Sequence, residues 1–311
     1  ACGSAFYAGM VGRYWLEEIA RLPVDIDVAS ELRYRNPPLD RHSLGLLISQ
    51  SGETADTLAA LRALRQNAVY ILSVLNVEHS SMARESDAVL GTVAGPEISV
   101  ASTKAFTAQL TVLACLSIAI ARARGHLDPL REEELVSALL DLPTRAADAL
   151  AQNEAVRAMA RVVAEARDVL YLGRGSLFPV AMEGALKLKE ISYIHAEAYA
   201  AGEMKHGPIS LIDSSVPIVA SAPYTPLFDK TLSNLQEAKA RGGRLLVFTD
   251  TKGAERVSAI AEQVVVLPHV HDFVTPILQV IPVQMLAYEV AVLKGTDVDQ
   301  PRNLAKSVTV E

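Results

Sequence analysis

Short apolar runs alternate with segments of helical period along this chain, and that alternation restricts it to parallel α/β sheets more firmly than any other feature. A run of five or six apolar residues closed by turn residues fits a strand buried on both faces, with helices covering those faces. Leu44 to Ser49, Tyr70 to Val77 and Ala88 to Val93 are predicted strands in the first half. Val169 to Gly173, Pro217 to Ser221, Arg244 to Thr249 and Gln263 to Leu267 are predicted strands in the second. Helices are predicted between them, among them Thr54 to Arg65 and Leu227 to Arg241, the latter stopped by Gly242-Gly243.

The two halves repeat one plan. A glycine turn opens a long helix after Gly3 and again after Gly175. An extended stretch then reaches Ala29-Ser30-Glu31 in one half and Ala201-Gly202-Glu203 in the other. Each half closes on a long apolar helix, Lys104 to Ala123 and Pro276 to Lys294. Between them Leu127 to Arg167 reads as helical, interrupted at Pro143. The division expected is 1–127, a helical connector 128–159, 160–301, and a tail 302–311. Thr296 to Glu311 has neither helical nor strand period, and its bland reading is a solvated terminus. Ala1-Cys2-Gly3 reads as the end of a strand whose start is missing, so the chain is taken as a fragment.

The formal net charge of −7 speaks against a nucleic-acid binder, which carries a basic face, and against an anionic membrane surface. It leaves a small anionic substrate open, since that needs only a local site. Cys2 and Cys115 are too few for a disulfide framework and read as thiols in a reducing cytoplasm. Cys115 lies in the apolar run Leu110 to Ala121, where a thiol packs as a small hydrophobe; the run reads as too short to span a bilayer.

Strand Leu44 to Ser49 runs straight into Ser49-Gln50-Ser51-Gly52-Glu53-Thr54 and a helix. Hydroxyls and backbone amides gathered at a strand's carboxyl end and a helix's amino end favour an anion. The alternative is an ordinary helix capped by Ser51 or Thr54. No Gly-Lys-Ser/Thr is present, and Gly173-Arg174-Gly175 lacks the third glycine of a dinucleotide loop. Ser102, with Ser99 and Thr103, forms another polar loop after a strand of the same half.

The helix containing Pro179 is expected to run to about His195. Glu183, Lys187 and Glu190 are spaced four and three apart on it and share one face among apolar neighbours. Carboxylates in such surroundings can be raised toward a working base; a salt-bridged exposed face is the alternative. His206-Gly207-Pro208 puts an imidazole on a turn, where a histidine is either catalytic or simply exposed. His269 and His271 alternate as on a strand, without the cysteine or carboxylate cluster of a metal site.

Taken together these motifs resemble the isomerase part of the glucosamine-6-phosphate synthase family. Ser49 to Thr57 is similar to its phosphate loop, Ala101-Ser102-Thr103-Lys104-Ala105-Phe106-Thr107 to a second loop, Glu183 to His206-Gly207-Pro208 to its catalytic segment, and Asp297 to Glu311 to its C-terminal tail. The resemblance runs from the first residue to the last. It implies two tandem sugar-isomerase (SIS) domains, each a parallel sheet flanked by helices in a flavodoxin-like three-layer sandwich. It also implies fructose 6-phosphate as substrate, no metal or organic cofactor, and a homodimer in the cytoplasm.

Carried over residue by residue, the resemblance makes Lys306 the amine that forms a Schiff base with the C2 carbonyl. Glu190 moves the proton between C1 and C2, Lys187 stabilises developing negative charge, and His206 assists ring opening from the neighbouring subunit. Ser49, Gln50, Ser51 and Thr54 hold the phosphate, with Ser4, Val100 and Ser102 at the sugar. A lysine amine attacks only when neutral, so its site must lower an ordinary pKa of about 10.4. The tail carrying it is then expected to act as a lid. Cys2-Gly3-Ser4-Ala5 departs from the family's Cys-Gly-Thr-Ser and loses one hydroxyl at Ala5. The family's glutaminase domain is expected upstream, so this part alone interconverts fructose and glucose 6-phosphates, and glucosamine 6-phosphate forms with glutamine-derived ammonia. The competing readings are a stand-alone SIS-family isomerase or amino-sugar deaminase, and a non-catalytic sugar-phosphate sensor with no use for Glu190, His206 and Lys306.

Overall fold

The computed structural model describes every residue except Asn36, Arg41, Ala68 and Glu311, so the last residue of the expected tail lies outside the described residues. The chain forms two compact units, Ala1–Asp128 with Asn303–Glu311, and Pro129–Arg302.

In the first unit the elements are α1 (Gly3–Glu18), α2 (Ala29–Leu32), β1 (Leu44–Ser49), α3 (Ala55–Gln66), β2 (Tyr70–Leu75), α4 (Ser81–Glu85), β3 (Ala88–Gly91) and α5 (Lys104–Ala123). The strands form a parallel sheet in the order β1-β2-β3, with Leu44 opposite Tyr70 and Leu72 opposite Ala88. The two-residue period of the strands divides the core into layers. Leu47, Ile71 and Leu75 face Leu61 of α3 and Met82 of α4. Leu46 joins Leu16 of α1, Ala20 just past its end and Ala121 of α5 on the other side. β2 and β3 each end two residues earlier than expected.

The second unit contains α6 (Pro129–Leu150), α7 (Asn153–Ala164), β4 (Asp168–Gly173), α8 (Leu177–Ser192), β5 (His195–Ala200), β6 (Pro217–Ser221), α9 (Phe228–Lys239), β7 (Arg244–Thr249), α10 (Thr251–Val257), β8 (Gln263–Val266) and α11 (Thr275–Lys294). Its parallel sheet has the order β5-β4-β6-β7-β8. Leu170, Ile218, Leu245 and Val247 pack under Phe228, Leu232 and Leu235 of α9. Tyr171 packs instead against α8, where a Cβ at Gly184 would lie 2.7 Å from its ring.

Several local expectations are corrected. α6 runs unbroken through Pro143, and the break falls at Ala151–Gln152. A proline removes one helical bond, but Leu135, Leu142 and Ala149 are buried on both sides of it and hold the helix on course. α8 stops at Ser192, because Tyr193 adopts the left-handed conformation (φ 61°) with its N–H on the Lys189 carbonyl. His195 therefore begins β5. His269 and His271 follow β8 in non-strand backbone. Cys115 is exposed rather than packed inside. Its run belongs to a 20-residue helix that, like Asp272–Lys294, is long and apolar enough by length and composition to cross a membrane. Half of the first helix's apolar stretch and two-thirds of the second's are buried within the protein.

The repeated plan is visible bond by bond. Gly3 (φ 54°) and Gly175 (φ 55°) make the same left-handed entry to a long helix. Just before them, the Ala1 and Gly173 carbonyls accept from the N–H groups of Ala29 (2.8 Å) and Ala201 (2.9 Å).

Candidate active site

The loop after β1 is built by its own hydroxyls. Ser49 Oγ accepts from the Gly52 N–H at 3.0 Å, and Ser51 Oγ accepts from the Glu53 N–H at 3.2 Å. Gly52 has φ 65°, and a Cβ there would sit 2.1 Å from Ser80 Oγ, so only glycine fits. The Glu53 carboxylate accepts from the Ser81 N–H at 2.7 Å, and this backbone bond holds it below the usual carboxylate range. With its oxygen engaged by a loop amide, the hydroxyl of Ser49 keeps its O–H group as a donor, which suits a phosphate oxygen. Ser49 is buried, while Gln50, Ser51 and Thr54 are half-exposed. Thr54 occupies the N-cap position of α3 but makes no side-chain cap bond.

The tail supplies what Thr54 does not. The Val308 carbonyl accepts from the Ala55 N–H at 3.0 Å, and Ser307 Oγ lies 3.0 Å from Ser51 Oγ. Lys306 Nζ donates to the Ser99 carbonyl at 2.7 Å, beside the loop that carries Val100 and Ser102. Three successive tail residues are thus tied to the two polar loops of the first unit, and the segment without periodicity is ordered by contacts distant in sequence. Ser4 lies on the first turn of α1, half-buried, next to Ala5. Glu97, which the sequence reading passed over, caps α5 by accepting from Thr103 Oγ1 and the Ala105 N–H. A groove of about 600 Å³ along one face of α3 is lined by Arg33 and Arg62, but Asp56 and Glu85 engage those guanidiniums.

In the second unit the charged stripe of α8 is buried. The side chains of Glu183 and Lys187 are 0% and 2% exposed, and that of Glu190 is 21% exposed. Lys187 Nζ donates to Glu190 Oε2 and lies 3.6 Å from Glu183 Oε1. Burial alone would pull the Lys187 ammonium down; the two carboxylates outweigh it and leave it above the ordinary lysine value. Lys187 is therefore a standing cation, and Glu190 is the stripe's partly exposed carboxylate. His206 is exposed at the end of a short 3-10 turn, Glu203–His206, closed by Gly207 (φ 141°).

A second feature escaped the sequence reading. The Tyr193 hydroxyl accepts from the Arg302 N–H at 2.9 Å, and the Arg302 guanidinium lies 4.2 Å from the Tyr193 ring centroid. The residue that ends α8 thus anchors the chain just ahead of Asn303. The signal was a bulky residue at a helix C-cap, which no period reveals.

Comparisons with known proteins show the family. The SIS domain family model matches residues 1–119 and 163–294. All 311 residues are similar to the isomerizing glutamine–fructose-6-phosphate aminotransferases of Gluconobacter oxydans, at 73% identity, and of Zymomonas mobilis, at 59%. The chain covers 51% of each and so spans about half the length of the curated relatives it matches. The solved C-terminal domain of glucosamine-fructose-6-phosphate aminotransferase from Francisella tularensis superimposes with a TM-score of 0.94 at 47% identity, covering 96% of this chain and 84% of that one. A glucosamine-6-phosphate deaminase from Thermotoga maritima, at 22% identity and a TM-score of 0.78 over 99% of this chain and 88% of its own, shares the fold.

Proposed function

The chain belongs to the SIS-domain family, and from that premise we propose that it carries the ketose–aldose isomerisation of an isomerizing glutamine–fructose-6-phosphate aminotransferase, with fructose 6-phosphate as substrate. The observation that carries this reading is the tail. Lys306 is bonded at Ser99 while its neighbours Ser307 and Val308 are bonded at the phosphate loop, so one segment serves both the anion cradle and the amine.

In this reading Ser49, Gln50, Ser51 and Thr54 hold the phosphate, and Ser4, Val100 and Ser102 contact the sugar. His206, given by the neighbouring subunit of a homodimer, protonates the ring oxygen as the ring opens. Neutral Lys306 adds to the C2 carbonyl, and loss of water leaves a C2=N Schiff base. Ammonia, or water in its absence, then displaces the Lys306 amine from C2, leaving C2=NH or C2=O and a free lysine. Glu190 takes a C1 proton; the C1–H pair becomes the C1=C2 bond, and the C2=N or C2=O pair moves to that heteroatom. Return of the proton to C2, with O1 giving up its proton as C1=O forms, gives the aldose level. Lys187 stays charged and offsets the negative charge developing at the oxygens. Residues 302–311 close over the substrate. With ammonia from an upstream glutaminase domain the product is glucosamine 6-phosphate; without it, glucose 6-phosphate. No step calls on a metal or organic cofactor, and the setting is cytoplasmic.

Borohydride reduction in the presence of fructose 6-phosphate, followed by peptide mapping, tests the covalent step. The expected result is a hexitol-phosphate adduct on Lys306. Isomerisation that persists with no adduct removes Lys306 from the mechanism.

A further inference from the structure

The proton-transfer step leaves one buried group of α8 without a role. Glu183 lies one helical turn before Lys187, fully buried, and its carboxylate faces the same ammonium as Glu190. The two carboxylates differ in access. Glu190 is partly exposed and makes the direct bond to Nζ; Glu183 is sealed and sits 3.6 Å away. A proton acceptor changes charge during the reaction, and when Glu190 is protonated Lys187 loses its nearer partner in a buried place. A buried ammonium left alone sheds its proton.

We propose that Glu183 is a positioning residue, the permanent counter-ion that keeps Lys187 an ammonium while Glu190 alternates between carboxylate and carboxylic acid. This rests on the reading of Glu190 as the base. Division of labour follows from burial: the exposed carboxylate exchanges protons with the substrate, and the sealed one has no route for exchange. Titratable groups on the elements packed against α8 are Asp168 and Tyr171 on β4, His195, Glu197 and Tyr199 on β5, and Tyr288, Glu289 and Lys294 on α11; β6 has none. Glu289 is committed to Arg157, Asp168 to His195, and Glu197 to Tyr199. The charges acting on Lys187 are those of Glu183 and Glu190.

The test is a titration of Lys187 in the ligand-free protein, by NMR of lysine labelled at Cε and Nζ, with the signal assigned from its loss in Lys187→Met. In Glu190→Gln, which mimics the protonated base, Lys187 is expected to remain charged through neutral pH. In Glu183→Gln/Glu190→Gln its midpoint is expected to fall by about two pH units or more relative to Glu190→Gln. Glu183→Asp/Glu190→Gln restores most of that fall. Equal midpoints with and without Glu183 overturn the proposal. If the double variant does not fold, Glu183→Gln alone must lower the midpoint by about one unit, and no movement there overturns it equally. The titration needs no substrate, so it is separable from the fructose 6-phosphate reading, whose failure shows as absent turnover in the unaltered protein.

Discussion

The same place on the two sheets, the carboxyl ends of β1 and β2 in one unit and of β6 and β7 in the other, is built in opposite ways. After β1 comes a hydroxyl-rich loop closed by Gly52. After β6 comes Ala222-Pro223-Tyr224-Thr225-Pro226, with two prolines that offer no N–H. The residue just past β2 is Asn76, whose N–H donates to the Gln50 carbonyl at 3.2 Å and whose side chain is spent on Thr92, Ala94 and Gly95. The residue just past β7 is Asp250, a buried carboxylate that takes the N–H groups of Gly253 (2.9 Å) and Tyr224 (3.2 Å) and a bond from His269. In the second unit an internal anion fills the position where the first unit leaves donors for an external one. In the proposed function the duplicated scaffold divides the work: the first unit binds phosphate at its strand ends, and the second contributes chemistry from the buried stripe of α8.

This contrast can be broken in four ways. The largest effect is expected from Glu190→Gln, which should lower kcat by about 10²–10⁴ with KM nearly unchanged, because in the proposed mechanism this group of the second unit acts on the reacting carbon and not on the phosphate. Solvent exchange of the C1 proton, read by NMR, should stop; continued exchange would remove Glu190 as the base. Asn76→Asp copies the second unit's charge into the first, and like-charge repulsion should raise KM for fructose 6-phosphate about tenfold with little change in kcat. An unchanged KM would show that phosphate does not sit by Gln50. Gly52→Ala forces a side chain into a left-handed backbone and against Ser80; an unfolding free energy lower by about 1–3 kcal/mol is expected from denaturant titration. The smallest effect belongs to Asp250→Asn. Asparagine still caps α10, so a stability loss under about 1 kcal/mol with KM unaltered is expected; a changed KM would mean that the second unit's strand ends also meet substrate.

Much of this organisation was legible in the chain. β1, β6 and β7 fall where the apolar runs put them, since a strand buried on both faces writes its length in continuous hydrophobicity. β5 was legible only as an extended stretch, because an edge strand reading His-Ala-Glu-Ala-Tyr-Ala lacks such a run. Pro143 misled because propensity is local while the helix is held by packing on both sides of it. Cys115 misled because a run apolar all round gives no sign of which face turns outward.

The candidate site divides along the same line. Residue types and local spacing singled out Ser49 to Thr54, the stripe Glu183-Lys187-Glu190, and the turn at His206, since loop chemistry and helical period act over a few residues. Resemblance alone singled out Lys306. The tertiary structure decided what spacing could not: that the stripe is buried rather than salt-bridged in water, and that the aperiodic tail is tied to the loop after β1 through Ser307 and Val308. Sequence determines which groups a short segment can present. Their solvation and their partners across some 250 residues of chain depend on what the rest of the fold packs against them, and that alone turns a solvated tail into an ordered one.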